Sequence, residues 1–402
     1  MKKILCMAMM LAVVFSCATC NALNVSVGDS DYYQKFKGKN ITIDVYNWGE
    51  YISDGSDDSM DVVKEFEELT GVTVHYTNFA SNEEMYAKIK SGGAQYDVII
   101  PSDYMIARML GEDMLEKLDF ANVPNFKLVS DVYKNMDYDA KNEYSVPYMW
   151  GLVGLIYNGA VIEDEIDSWS ALWDQKYIGQ ILMFSNSRDA FGISLLRLGY
   201  SLNETDTKAL EEAAVELQNQ KMLVQAYVMD EIFNKMEGGE ALIAPYYAGD
   251  AITMIEANPD LKFVIPKEGT NYFVDAMVIP KGSKNKEAAE MFINFMCEPE
   301  VSAANAGYIG YSTPIPEAFE LLDLDEVASK ISYPDDEVLK NTEVFRALPE
   351  EVNLQIDRYW TDILTYNENP NVWIGPVFLF GAFAASIIIL IVRARKKHRD
   401  VY

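Results

Sequence analysis

Residues 41–51 read Ile41-Thr42-Ile43-Asp44-Val45-Tyr46-Asn47-Trp48-Gly49-Glu50-Tyr51. The first six alternate apolar and polar side chains, the period of a strand with one buried face, and the strand runs out into an aromatic and acidic cluster. Outward from this stretch the period changes. Val62, Val63, Phe66 and Leu69 recur at helical spacing, and Gly71 is placed to close that helix. Val72-Thr73-Val74-His75-Tyr76 is a second strand. Ser81-Asn82-Glu83-Glu84 has the form of a capping box and opens another helix. Residues 96–100 form an apolar strand stopped by Pro101. This succession predicts an α/β fold with a parallel sheet and crossover helices. Beyond a polar stretch at 130–143 the alternation resumes, with strands over 151–157 and 277–280 and helices over 190–198, 208–217 and 286–296.

In open α/β sheets ligands gather at the carboxyl ends of the strands. That rule singles out the segments after Tyr46 and after Ile100, the second reading Pro101-Ser102-Asp103-Tyr104. Further along, Tyr246 and Tyr247 precede Gly249-Asp250, Phe273 lies two residues before Asp275, and Tyr308 and Tyr311 flank Gly310. Carboxylates fix ammonium groups through charge-assisted hydrogen bonds, and aromatic faces cover methylenes and attract cations. Taken singly, each pairing is more often core plus a solvated cap than a site.

The chain has 402 residues, room for two lobes, and 62 acidic against 33 basic residues, a net charge of -29. Nucleic-acid binding, which needs a basic footprint, is argued against. A cationic ligand suits this charge. Cys6, Cys17 and Cys20 lie in the first twenty residues and Cys297 alone lies in the body of the chain, so no internal disulfide is expected. The two histidines are His75, inside a strand pattern, and His398, in a basic tail. No G-x-S-x-G elbow, P-loop, G-x-G-x-x-G or zinc-spaced cluster occurs. Asp54-Gly55-Ser56-Asp57-Asp58 lacks the ligand spacing of a calcium loop. No enzymatic chemistry, cofactor or metal is expected.

Both ends address a membrane. Met1-Lys2-Lys3 and the apolar run at 4–16 are signal-peptide grammar. Cleavage after Ala22 and a lipoprotein-type cleavage before Cys17 compete. The bulk of Phe15 fits the second poorly, and 1–22 is taken as the signal peptide. Residues 372–392 are 21 positions without a charge, long enough to cross a bilayer as a helix. Arg393, Arg395, Lys396, Lys397 and Arg399 follow, which places the 393–402 tail in the cytoplasm and the large middle outside.

Tyr46-Asn47-Trp48-Gly49-Glu50-Tyr51, Ser81-Asn82-Glu83, Pro101-Ser102-Asp103-Tyr104 and Val146-Pro147-Tyr148-Met149-Trp150-Gly151 resemble the spermidine/putrescine-binding proteins of ABC importers. The resemblance continues through Ile265-Pro266-Lys267-Glu268-Gly269, Asp275, Ile279-Pro280, Lys284-Asn285-Lys286-Glu287 and Gly310-Tyr311-Ser312-Thr313-Pro314, covering residues 40–365. It implies a two-lobed, periplasmic-binding-protein-like (type II) fold with a ligand cleft between the lobes. The lobes would be 40–152 with 275–320, and 153–274 with 321–366, followed by the membrane helix.

The same resemblance implies roles. Trp48 and Tyr51 would be aromatic walls, Ser102 and Tyr104 contacts from the second strand-end loop, Asp275 the principal amine anchor, and Tyr311 a lid residue. Asn186 and Asp189 fall where the family has acidic residues in the second lobe. Tyr247, Asp250 and Phe273 complete the expected ligand set. Asn186 stands in place of a carboxylate, Tyr247 and Phe273 in place of tryptophans, Gly49 in place of a hydroxyl residue, and Phe345 in place of a polar one. Ala248-Gly249-Asp250 and Phe273-Val274-Asp275 are closer to putrescine-preferring members. The implied function is capture of putrescine or spermidine and delivery to a permease and an ATPase on other chains, from a single-pass position at the cell membrane with the lobes outside. A membrane-anchored polyamine sensor is the alternative, disfavoured by the short tail after residue 392. An extracytoplasmic enzyme on the same scaffold comes last.

Overall fold

The computed structural model describes residues 25–366. The expected signal peptide, membrane helix and basic tail lie outside them. Among the described residues no helix is long and apolar enough to cross a membrane. In chain order the strands are β1 (Thr42–Trp48), β2 (Thr73–Phe79), β3 (Val98–Ile99), β4 (Ser145–Asn158), β5 (Ile181–Phe184), β6 (Val224–Val228), β7 (Ile243–Tyr247), β8 (Leu261–Val264), β9 (Thr270–Val278) and β10 (Thr342–Glu343). The chain forms two compact units. Among the described residues the first comprises 25–160, 246–265 and 269–347, and the second 161–245, 266–268 and 348–366.

The first unit carries the order β2-β1-β3-β9-β4, with β8 on β4 and β10 on β9. β1 pairs in parallel with both β2 and β3, running from Thr42 opposite Thr73 to Trp48 opposite Phe79. The crossovers use the helices Val62–Thr70 and Asn82–Lys90. Gly71 ends the first with φ 70°, its N–H bonding Glu67 O, a left-handed cap that a side chain would oppose. Ser81 Oγ accepts the Glu84 N–H at the start of the second, while Glu84 reaches back to Ala80 N–H.

The sheet is mixed, not parallel throughout. β9 runs antiparallel to β3 and to β4. The apolar run at 96–100 is regular strand only at Val98–Ile99, although Asp97 N–H and Ile100 N–H still bond Asp44 O and Tyr46 O of β1. The helix Lys286–Met296 forms as expected and buries Phe292 and Phe295 against Phe66, with ring centroids 5.1 and 5.4 Å away.

The structure divides the chain differently from the boundaries read in the sequence. A cut at 152/153 and 274/275 would split β4 (Ser145–Asn158) and sever the β4–β9 ladder, which runs on through Trp150 opposite Val274 to Leu152 opposite Tyr272. Residues 246–265 and 269–274 therefore stay with the first unit, as do 321–347.

In the second unit β5 lies between β6 and β7, all parallel. The helices Ser187–Leu198 and Thr207–Gln220 match the expected ones with slightly wider bounds. A further helix, Glu350–Thr365, has no counterpart in the sequence reading. Its buried positions Val352, Ile356, Trp360 and Ile363 follow helical spacing. Trp360 Nε1 donates to Ser185 O at 3.3 Å, and its ring meets Tyr227 edge-on at 5.4 Å.

Candidate ligand-binding site

Asp275 lies on β9 opposite Met149 of β4, with Ser102 facing it as an isolated antiparallel bridge. The carboxylate is buried, 5 % exposed. A buried charge is tolerable only with hydrogen-bonding partners, and the Tyr51 hydroxyl donates to Oδ2 at 2.7 Å. Tyr51 is itself held from behind. Its carbonyl oxygen accepts the Tyr148 hydroxyl at 2.8 Å and Asn47 Nδ2 at 3.2 Å. Tyr148 is the residue passed over where the β4–β9 register shifts between Pro147 and Met149, a place where proline has no N–H to give the ladder.

A second tyrosine–carboxylate pair lies against the first. Tyr311 donates to Asp250 Oδ2 at 2.9 Å, and its ring stands edge-to-face on Tyr51, with centroids 4.9 Å apart and planes at 84°. Asp250 is in the first turn of the helix Ala248–Ala257, near the positive end of its dipole. Tyr311 follows Gly310, the left-handed cap (φ 75°) of the helix Pro299–Ile309. The two segments approach so closely that glycine is required on both. A Cβ on Gly249 would fall inside the Tyr311 ring, and one on Gly310 would come within 2.6 Å of Gly249 O. Phe273 stands edge-on to Tyr247 at 5.5 Å and to Tyr311 at 6.1 Å.

The electrostatics follow from this burial. Desolvation, then the neighbouring Asp275 carboxylate, pushes the Tyr51 hydroxyl well above its ordinary value. Desolvation, then Asp250, does the same to Tyr311. Both remain neutral donors at physiological pH. The result is two carboxylates, each bonded to a tyrosine hydroxyl, with two crossed rings between them. Such a set can hold cationic nitrogens at its acids and cover an alkyl segment with its rings.

Nine of the eleven residues expected to touch ligand fall in the first unit, and Asn186 and Asp189 in the second. Tyr51, Tyr247, Asp250, Phe273, Asp275 and Tyr311 form the connected cluster just described. Ser102 joins it through the backbone. It precedes the helix Asp103–Gly111, and its N–H donates to Asn82 Oδ1 at 3.2 Å. Tyr104 is engaged differently: its hydroxyl donates to Glu83 Oε1 at 2.9 Å and accepts Asn82 Nδ2 at 3.0 Å, with Phe345 edge-on at 5.9 Å. Trp48, the last residue of β1, packs against Phe79 at 4.6 Å. In the second unit Asn186 caps the helix Ser187–Leu198 by accepting Asp189 N–H at 2.8 Å, and its Nδ2 donates to Asp189 Oδ2 at 2.7 Å.

Two supporting residues carried no role in the sequence reading. Tyr148 positions Tyr51. Asp103, fully buried, accepts Val274 N–H at 3.3 Å and so ties the helix start to β9 one residue before Asp275. An aspartate at a helix start reads in sequence as a solvated cap, and only the tertiary fold shows it turned inward.

Fold and cluster together define an α/β solute receptor, built for holding a ligand rather than for transforming one. Residues 61–334 match the bacterial extracellular solute-binding protein family, and the chain belongs to that family. It is 36 % identical over 307 residues to the spermidine/putrescine-binding periplasmic protein of Escherichia coli, covering 76 % of this chain and 86 % of the relative. It is 29 % identical over 343 residues to the putrescine-binding periplasmic protein SpuD of Pseudomonas aeruginosa, covering 81 % and 92 %. Among solved structures, the spermidine/putrescine ABC transporter substrate-binding protein PotD of Streptococcus pneumoniae matches with a TM-score of 0.69 and 37 % identity, over 81 % of this chain and 99 % of that one.

Proposed function

We propose that the chain captures a small polyamine, with putrescine favoured over spermidine, outside the cytoplasm and delivers it to an ABC permease driven by an ATPase on another chain. The observation that carries the reading is the double pair Tyr51–Asp275 and Tyr311–Asp250, joined ring to ring. A diamine has two ammonium ends and an apolar middle, and this cluster has two carboxylates and an aromatic middle. The identities to spermidine/putrescine- and putrescine-binding relatives support the same ligand class. Trp48, Ser102 and Tyr104 would add contacts from the first lobe, and Asn186 and Asp189 from the second, as the lobes close on the ligand by a hinge motion.

The 21 uncharged residues at 372–392 and the basic cluster after them support a single-pass anchor with the receptor outside. Tethering would raise the receptor's effective concentration at its permease. Calorimetric titration with putrescine, spermidine, spermine, cadaverine, neutral amino acids and sugars tests the ligand class. Saturable binding of putrescine is expected, and binding confined to the neutral solutes would overturn the reading.

A further inference from the structure

We propose that the second unit seats an apolar edge on the membrane surface, the edge formed by Ile178, Met222, Leu364 and Tyr366. The inference rests on the reading of 372–392 as an anchor. These four side chains are large, apolar or amphipathic, and exposed, at 60, 47, 41 and 38 % respectively. Backbone and capping bonds bring them to one edge. Lys221 Nζ donates to Ile363 O at 2.7 Å and to Leu364 O at 2.6 Å, which fixes residues 221–222 beside the end of the helix Glu350–Thr365. Gly179 N–H bonds Leu223 O at 2.8 Å, which brings Ile178 to the same place.

Chain length names the occupant of this edge. Between Tyr366 and the uncharged run that begins at 372 stand only Asn367-Glu368-Asn369-Pro370-Asn371. The six extended steps from 366 to 372 span about 20 Å, so a bilayer crossed by 372–392 would lie within that reach of Tyr366. An interfacial position suits a Tyr ring and the aliphatic tips around it, as it does Trp373 at the start of the run. The edge also carries the ammonium of Lys221, in a chain whose net charge of -29 would otherwise be repelled by anionic lipid.

The test uses the full chain reconstituted into phosphatidylcholine vesicles. Cysteine is introduced at Ile178→Cys, Met222→Cys or, as a control in the first unit, the 72 % exposed Val132→Cys. Each is made in a chain with Cys6, Cys17 and Cys20 replaced by serine and is labelled with an environment-sensitive fluorophore; Cys297 is buried and does not compete. Labels at 178 and 222 should shift to the blue and be quenched by nitroxide-bearing lipid, and the label at 132 should do neither. If the chain floats with the vesicles while labels at 178 and 222 stay water-like, or quench only one another between copies, the surface is wrong and the anchor stands. A chain that does not float with vesicles overturns both readings.

Discussion

The hydroxyl of Tyr51 donates a 2.7 Å hydrogen bond to Oδ2 of Asp275, a residue 224 positions further along the chain. The bond joins the loop after β1 to the middle of β9, and it orients a buried carboxylate whose own strand is pinned by Asp103 at Val274. Strand pairing and loop position are therefore coupled at the acid proposed to anchor the ligand.

Asp275→Asn should remove the charge while keeping the shape, and it separates the anchor role from packing. Truncating one partner of a buried charged pair costs about 2–5 kcal/mol, so putrescine affinity should fall roughly 30-fold or more. Tyr51→Phe leaves the charge but removes the donor, and a hydrogen bond to a charged group contributes about 1.5–3 kcal/mol. Its main effect should appear in urea denaturation, with a smaller loss of affinity than Asp275→Asn. Unchanged calorimetric binding by Asp275→Asn would remove that residue from the site.

Gly249→Ala should destabilise the first unit by about 1–3 kcal/mol, the usual cost of overpacking, because the added methyl meets the Tyr311 ring. Tyr311 would shift, breaking its bond to Asp250 and loosening its contact with Tyr51. The double variant Gly249→Ala/Tyr311→Ala should be less destabilised than the two single losses added together, since the ring that clashes is gone. Strict additivity in denaturation midpoints would mean the clash is relieved elsewhere.

The parts of the fold that depend on neighbours in sequence were legible from sequence. The alternation of Thr42–Trp48, the Gly71 cap and the helix Lys286–Met296 all follow from local period and turn chemistry. The helix Glu350–Thr365 carried a usable signal in Val352, Ile356, Trp360 and Ile363 that was passed over. The reversed direction of β9 was not legible, because strand direction is set by where the chain re-enters the sheet. In the site, aromatic and acidic types were recognisable at strand ends, but pairing was not. Nothing local links Tyr51 to Asp275 or Tyr311 to Asp250, and the inward turn of Asp103 is visible only through its bond to Val274.

Acid stability should reflect Glu112. Lys90 and then Tyr86 bond its carboxylate and hold it below the ordinary glutamate range. A depressed folded value means the charged form is favoured by folding. That stabilisation is present above the unfolded value and is lost as pH falls through the folded one. Glu112→Gln should therefore lower the urea midpoint at pH 7, modestly because the pair is partly solvated. The gap from wild type should close as pH falls below the ordinary glutamate range and through the depressed folded value. A gap that persists in acid would assign the effect to packing.

Asn186→Asp tests the second unit, where the carboxylate expected of spermidine-binding relatives is replaced by an amide. Asn186 Nδ2 now donates to Asp189 Oδ2 at 2.7 Å, and Asn186 Oδ1 accepts Asp189 N–H. An aspartate at 186 would keep the cap, because its oxygen can still accept that N–H. It would lose the donor and set two carboxylates against each other. Like charges this close cannot both ionise without cost, so one should titrate above the ordinary range. Without ligand the variant should be less stable than wild type at pH 7, by about 1–2 kcal/mol for a charged hydrogen bond turned repulsive, with the deficit shrinking toward pH 4. A triamine supplies an extra ammonium that could lie between the two acids. If the second lobe contributes to binding, spermidine affinity should rise relative to putrescine, and the pH 7 deficit should shrink when spermidine is added. An unchanged spermidine-to-putrescine ratio would place Asn186 and Asp189 outside the ligand's reach.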